Sequence, residues 1–367
     1  MKIKEIIQFL ETIAPPAYQE NYDNAGLIVG NPDAEVIGIL TCLDSLESIV
    51  NEAITNKCNL IVAHHPIVFR GLKRLNGKNY VERIVLKAIK NDIAIYAIHT
   101  NLDNMLQNGV NQQIANRLGL KNLKILAPKR QILMQLTVFV PIENTQTVLN
   151  ALYAAGAGQI GDYENCSFRT AGTGTFRPIR NANPHIGTLN QDEEVVENRI
   201  EVVLEAHLQN KILKAMRQAH PYQEVAYFLT ALENENQTVG AGIVGEYDAD
   251  NAPSEMDFLK NLKQKMVAGV VRYTQLRDKS VRRVAICGGS GSFLLGNAIS
   301  AGADVFVTAD FKYHEFFDAD GKIVIADIGH FESEQFTIEL LTNVLQNKFK
   351  KICIFSTKKD TNPVNYF

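Results

Sequence analysis

One apolar run that stops dead at two imidazoles constrains this chain most: Asn59-Leu60-Ile61-Val62-Ala63 is followed at once by His64-His65-Pro66. The run reads as a buried strand, and a proline has no amide with which to continue a sheet ladder, so both rings sit at a strand end. The pattern recurs. Val36 to Leu43 is strand-like and gives way to Asp44-Ser45, which reads as the N-cap of a helix carrying Ile49, Ala53 and Ile54. Ile93 to Ile98 is a strand that runs into His99-Thr100-Asn101-Leu102-Asp103, with a helix around Val81 to Ile89 before it. Ahead of all these, Ile3, Ile6, Ile7, Leu10 and Ile13 recur at helical spacing up to Pro15-Pro16, and Asp23-Asn24-Ala25-Gly26 is turn chemistry before a short strand. Alternating strands and helices predict a layered α/β domain with a largely parallel sheet. Ligands in such sheets bind beyond the carboxyl ends of the strands, where these polar bursts gather.

From about residue 127 the rhythm changes. Ile132 to Val140, Cys166 to Thr175, Arg199 to Ala206 and Val225 to Leu232 read as strands, with helices at Thr145 to Ala155 and Ile212 to Ala219. That β-α-β-β-α-β order is a ferredoxin-like α+β unit. The α/β rhythm resumes near Gly240: helix Met256 to Met266, strand Val284 to Cys287 into Gly288-Gly289-Ser290-Gly291-Ser292, and strands Val305 to Thr308 and Ile323 to Ala326. Two more polar bursts follow those strands, Asp310 to Glu315 and Asp327 to Glu334. The expected organisation is a discontinuous core of residues 1–127 and 236–367 with an inserted domain at 128–235.

Composition narrows the function. A net charge of -3, from 37 basic and 40 acidic residues, lacks the electrostatic footprint that tracks a phosphate backbone, so nucleic-acid and membrane-surface binding are disfavoured. The five cysteines are scattered without a CxxC pair, which suits reduced thiols in a cytoplasmic protein. No apolar stretch reaches membrane-spanning length.

Five of the eight histidines fall in the strand-end bursts: His64, His65, His99, His314 and His330. His330 and Glu334 are spaced i, i+4 at a helix start, so they share a face and can reach a common ion. Asp103 offers a carboxylate from the other half of the chain. Three imidazoles and two carboxylates exceed one tetrahedral zinc with an open position and suit two ions about 3.5–4 Å apart. Zinc, manganese, iron and magnesium are all admissible donors' partners here, and copper(I) is disfavoured by the lack of soft ligands. His99 and His314, each four residues from an aspartate, are candidates for proton transfer, for orienting a ligand or for ligation itself. The Gly288 to Ser292 turn is a candidate phosphate seat without the lysine of a Walker loop.

Taken together, Asp23-Asn24-x-Gly26, His64-His65-Pro66, His99 to Asp103, Asp310 to His314 and Gly329-His330-x-x-x-Glu334 resemble the dinuclear-metal family related to yeast NGG1-interacting factor three. Its bacterial members are called GTP cyclohydrolase I type 2 homologues, and the resemblance spans nearly the whole chain, insert included. It implies a three-layer α/β core, a toroidal homohexamer and two divalent ions per chain, zinc foremost with iron or manganese as alternatives. His64, His65, Asp103, His330 and Glu334 match the family's metal ligands. The activity implied is a metal-dependent hydrolase of a small molecule or nucleotide that uses a metal-bridged water, with ring opening of GTP and formate release as its specific form. The alternative is a non-enzymatic metal-binding scaffold or regulator that senses a small molecule through the insert, which resembles nitrogen-signal and copper-tolerance trimer domains.

Overall fold

The structure is a computed structural model that describes residues 1–367. Its strands, in chain order, are β1 (Gly26–Val29), β2 (Gly38–Cys42), β3 (Leu60–Ala63), β4 (Ala94–Ala97), β5 (Lys121–Lys129), β6 (Leu133–Pro141), β7 (Phe168–Phe176), β8 (Glu193–Glu205) and β9 (Tyr227–Leu232). Then come β10 (Asn236–Glu246), β11 (Arg272–Tyr273), β12 (Arg283–Ser290), β13 (Val305–Ala309), β14 (Val324–Asp327) and β15 (Cys353–Ser356). They form three sheets, ordered β1-β4-β3-β2-β15, β11-β14-β13-β12-β10-β5 and β7-β8-β6-β9. The chain divides into two compact units, Met1–Ala127 with Thr238–Phe367, and Pro128–Gln237.

In the first unit the centre of each sheet is parallel: β15, β2, β3 and β4 in one, β12, β13 and β14 in the other. Antiparallel strands β1, β10 and β11 are added at their flanks. Parallel strands are buried on both faces, and alternate residues choose between two helical layers. Ile39, Leu60, Val62 and Tyr96 pack with helices Ile3–Ile13 and Thr337–Lys348, whereas Leu40, Ile61, Ala63 and Ile95 pack with helices Glu47–Thr55 and Tyr80–Lys90. The second sheet behaves alike, with Val284, Ile286, Val305 and Val307 facing helices Val110–Leu118 and Glu255–Lys265, and Ala285, Phe306 and Ile325 facing Leu295–Ser300. This is the three-layer α/β core expected from the sequence.

The second unit is a βαββαβ sheet, antiparallel throughout, as expected. Leu136, Val138, Ile200 and Val202 bury one face against helices Thr145–Ala155 and Gln209–Ala219.

Some local readings change. Strand β8 begins at Glu193, six residues before the expected start at Arg199, because pairing with Gly172 to Phe176 outweighs the poor strand propensity of its charged residues. The sequence reading passes over helix Val110–Leu118 and over β5 and β10. Val110, Ile114, Ala115 and Leu118 are buried at helical spacing, a readable signal. Asp44-Ser45 does not cap its helix, whose N-cap is Leu46 without a side-chain hydrogen bond.

Candidate metal centre

The two sheets of the first unit turn the carboxyl ends of their parallel strands toward each other's polar residues. His64 and His65 leave β3, His99 leaves β4 two residues on, and Asp103 ends the short helix Thr100–Asp103. From the other sheet, His330 and Glu334 are the first and last residues of helix His330–Glu334, three residues beyond β14. These side chains meet. Donor atoms of three groups each lie within 4.8 Å of one another: His65, His330 and Glu334; His64, Asp103 and Glu334; His64, His65 and His99. Glu334 belongs to the first two, its Oε2 lying 2.8 Å from His65 Nε2, 3.2 Å from His330 Nε2 and 3.8 Å from His64 Nε2.

Every imidazole is oriented the same way. Each Nδ1 pairs with an oxygen: His64 with the Ile98 carbonyl at 2.8 Å, His65 with Asp44 at 2.7 Å, His99 with Asp23 at 2.7 Å and His330 with Asp310 at 2.7 Å. An Nδ1–H donated outward leaves the Nε2 lone pair for the cluster, which is how histidine ligands are tuned and aimed. The supports are themselves supported. Asp23 also accepts from the amide and hydroxyl of Thr100, and Asp44 accepts from the hydroxyl of Thr361 at 2.7 Å.

The electrostatics describe a nest short of positive charge. Burial raises Asp103, and the neighbouring charge of Glu334 adds to it, so its carboxyl is pushed up to about 7. Burial would raise Glu334 as well, but the charges of His330 and His65 hold it well below the usual carboxylate range. Burial disfavours the imidazolium of both those rings, yet Glu334 and their aspartate partners outweigh it and raise His65 to about 10 and His330 to about 11. Meanwhile His64 Nε2 and Asp103 Oδ1, 3.5 Å apart, are buried without a hydrogen-bond partner. Unsatisfied buried polar atoms are costly. A lone pair and a carboxylate oxygen left together beside Glu334 fit the ligand set of a divalent cation.

A model of the Duf34/NIF3 (NGG1p interacting factor 3) family matches residues 1–363. The chain belongs to the NIF3 family. Relatives named GTP cyclohydrolase 1 type 2 homolog include one from Halalkalibacterium halodurans, 38% identical with 98% of each chain covered, and one from Bacillus subtilis, 36% identical over 99% of this chain and 98% of the relative. Among solved structures, a Bacillus cereus protein related to NIF3 is 37% identical with a TM-score of 0.86, covering 100% of this chain and 99% of its own. A Staphylococcus aureus protein superposes with a TM-score of 0.80 at 31% identity and the same coverage.

The cluster of this NIF3-family chain opens into a cavity of about 470 Å³, a size typical of small-molecule sites. Tyr22, Phe69, Tyr80 and Phe293 line it with well-exposed rings, and no lysine or arginine does. Cys287 is present as a neutral thiol, burial pushing its pKa up, and bonds the Gly288 carbonyl. Two amides of the glycine turn are taken by side chains and are not free for a phosphate: the Gly288 amide donates to Asn111 Oδ1 and the Gly289 amide to Ser333 Oγ. Its glycines serve close approach instead. Gly289 has φ +63, and a Cβ there would lie 2.4 Å from Glu334 Oε1.

The structure does not bring His314 to the cluster. It is exposed on the 3-10 turn Tyr313–Ala319, its ring against Tyr313 and Phe317. Sequence reasoning missed Asp44 and the tail residues Thr361 and Asn362, the latter donating to Glu332. Nothing local marks them.

Proton release follows from these pairings. Ligation needs neutral Nε2 atoms, whereas the metal-free chain holds His65 and His330 as imidazolium at pH 7. Raising the pH removes the competing protons, so zinc affinity is expected to climb between pH 6.5 and 8.5 with release of roughly two protons per chain. Calorimetric titration in buffers of different ionisation enthalpy measures this; a pH-independent affinity with no proton release would contradict the ligand set. In the metal-free chain the sign reverses: stability from these raised imidazoles is full below about 6.5 and lost as the pH rises through about 10 to 11.

Proposed function

We propose that this chain is a dinuclear-metal hydrolase, with His65, His330 and Glu334 holding one divalent ion, His64, Asp103 and Glu334 the other, and Glu334 shared. The orphaned pair His64 Nε2 and Asp103 Oδ1, buried beside a carboxylate already claimed by two imidazoles, carries this reading. Nitrogen and oxygen donors without a thiolate favour zinc, with iron or manganese as alternatives. When bound, two such ions supply Lewis acidity and make water acidic at neutral pH.

The chain's own residues supply the rest. His99 gives its Nδ1–H to Asp23, whose carboxyl, despite burial, is held at about 2 by hydrogen bonds from His99 and Thr100. A permanently ionised Asp23 fixes the tautomer and strengthens Nε2 as a proton acceptor at the edge of the cluster. His99 is thus the general base, and His314 has no part. The aromatic rim receives a flat ring by stacking, and the deep, fully buried His64 end contrasts with His330, whose side chain is 41% exposed. Substrate enters from the His330 side.

The relatives' name, GTP cyclohydrolase 1 type 2 homolog, points to ring opening of GTP, in which one water opens the imidazole ring and a second releases formate. A cavity without lysine or arginine offers its aromatic rim to the base and no lysine or arginine to the triphosphate. Formate release from guanosine and from GTP by zinc-loaded protein is therefore expected to differ by no more than about tenfold in kcat/KM. Strict dependence on the triphosphate would refute the rim as the recognition element, and formate from neither would refute the guanine reading. Undiminished turnover after chelation would refute the hydrolase mechanism itself.

A further inference from the structure

The second unit has a cavity of its own, of about 430 Å³, between the open face of its sheet and the loop that joins β7 to β8. Its floor carries Glu197, only 7% exposed. Two carboxylates, Glu197 and Glu224, line the cavity, and neither lysine nor arginine does. Burying a carboxylate without a cation is costly unless something neutralises it. The Tyr222 hydroxyl lies beside Glu197, and burial together with that carboxylate pushes the phenol's pKa up. Gly174 makes the arrangement possible, since a Cβ there would lie 2.3 Å from Glu197 Oε2.

The walls are aromatic and held in place. Phe176 and Tyr222 have ring centroids 6.0 Å apart, and His185 stands 6.3 Å from Tyr222 on its exposed edge. His220, a structural residue in the turn His220 to Glu224, donates from Nε2 to the Phe139 carbonyl and accepts the Tyr222 amide on Nδ1. The overlying loop is tied at three points: the Asn183 amide to Gln223, the Asn190 amide to the Pro178 carbonyl, and Arg177 to Asp192. A preformed pocket loses little to ordering when it binds.

We propose that this cavity binds a small organic cation with a flat apolar body, its charge paired with Glu197 and its body against Phe176 and Tyr222. Such rings attract a cation through their faces as well as by apolar contact. Two carboxylates and the lack of lysine or arginine disfavour nucleotides and other phosphates here, which separates the pocket's ligand from any phosphorylated substrate. The inference does not rest on the hydrolase reading. It gives the insert a binding role that would survive loss of the metal centre.

Benzamidine and benzoate, alike in shape and opposite in charge, are the probes. With full-length protein, calorimetry and saturation-transfer NMR are expected to show benzamidine filling one site per chain and benzoate none. Glu197→Gln is expected to weaken benzamidine by about tenfold or more with the thermal unfolding midpoint retained. Gly174→Ala, which displaces the carboxylate, acts in the same direction. Binding must persist in a His64→Ala, His65→Ala background, because the acidic metal centre is the competing cation site. The proposal is overturned if Glu197→Gln binds benzamidine as tightly as the parent, if benzoate competes equally, or if no saturable binding occurs below about 10 mM. It is equally overturned if binding disappears as the protein self-associates, since a second copy would then fill the cavity.

Discussion

Glu334→Gln is expected to cost roughly a thousandfold or more in hydrolysis, about 4 kcal/mol of transition-state stabilisation, and to lower metal content at both positions. The reason is geometric. Glu334 is the one residue common to the His65–His330 group and the His64–Asp103 group, so its charge is the glue of the whole cluster. Glutamine preserves the shape and removes the charge. His65 and His330 then lose the neighbour that raises them, and two of the donors that would face a cation become a neutral amide. Asp103→Asn provides the contrast, because Asp103 belongs to only one group. Elemental analysis should find about one ion left in Asp103→Asn and close to none in Glu334→Gln. Full metal content in Glu334→Gln would remove the shared-carboxylate assignment. Parent-like turnover in that variant would refute a hydrolase mechanism that runs through this centre.

What made the cluster legible in the sequence was the abruptness of its strand ends. His64 and His65 follow four fully buried residues without an intervening loop, and His330 and Glu334 share a helical face, so position along the chain already fixed direction in space. The same logic misplaced His314. Asp310, at the end of β13, adopts a left-handed φ of +58 and gives its carboxylate to His330, and the chain then departs into an exposed turn. An imidazole five residues past a strand is therefore not bound to the strand's edge. Asp44 failed for a different reason. Asp-Ser before a helical pattern has the composition of an N-cap, and only the parallel register of β2 with β3, Cys42 beside Ala63, reveals that Asp44 comes to rest against His65. Register is a long-range property. So is the contact from Thr361, 317 residues away from Asp44.

The glycine turn after β12 shows the limit of motif reading in another way. Free amides ahead of a helix are a phosphate seat only while they are free, and here Asn111 and Ser333 occupy two of them, those of Gly288 and Gly289. Both of those side chains come from elements outside the motif, one of them the helix Val110–Leu118 that the sequence reading passed over. The consequence is functional as well as structural. With two of its amides taken and no lysine or arginine in the cavity, the turn lends less support to phosphate recognition than the aromatic rim lends to the ring recognition proposed above.

The double substitution His64→Ala, His65→Ala is expected to empty the centre: about two ions per chain in the parent and fewer than roughly half an ion in the variant, by elemental analysis after gel filtration. Neither proposed position survives it, since His64 serves one group and His65 the other. The fold should tolerate the change better than a core truncation would. His64 contributes a single hydrogen bond, to the Ile98 carbonyl, and His65 sits between carboxylates on the cavity side. Removing both rings does leave Asp44, Asp103 and Glu334 with less neutralising charge, so some loss of stability is expected near neutral pH and less in acid, where carboxylates take up protons. Metal loss with a cooperative unfolding transition retained would tie the ions to this cluster. Two ions retained in a folded variant would place the metal elsewhere and leave the orphaned polar atoms beside Glu334 in need of another partner.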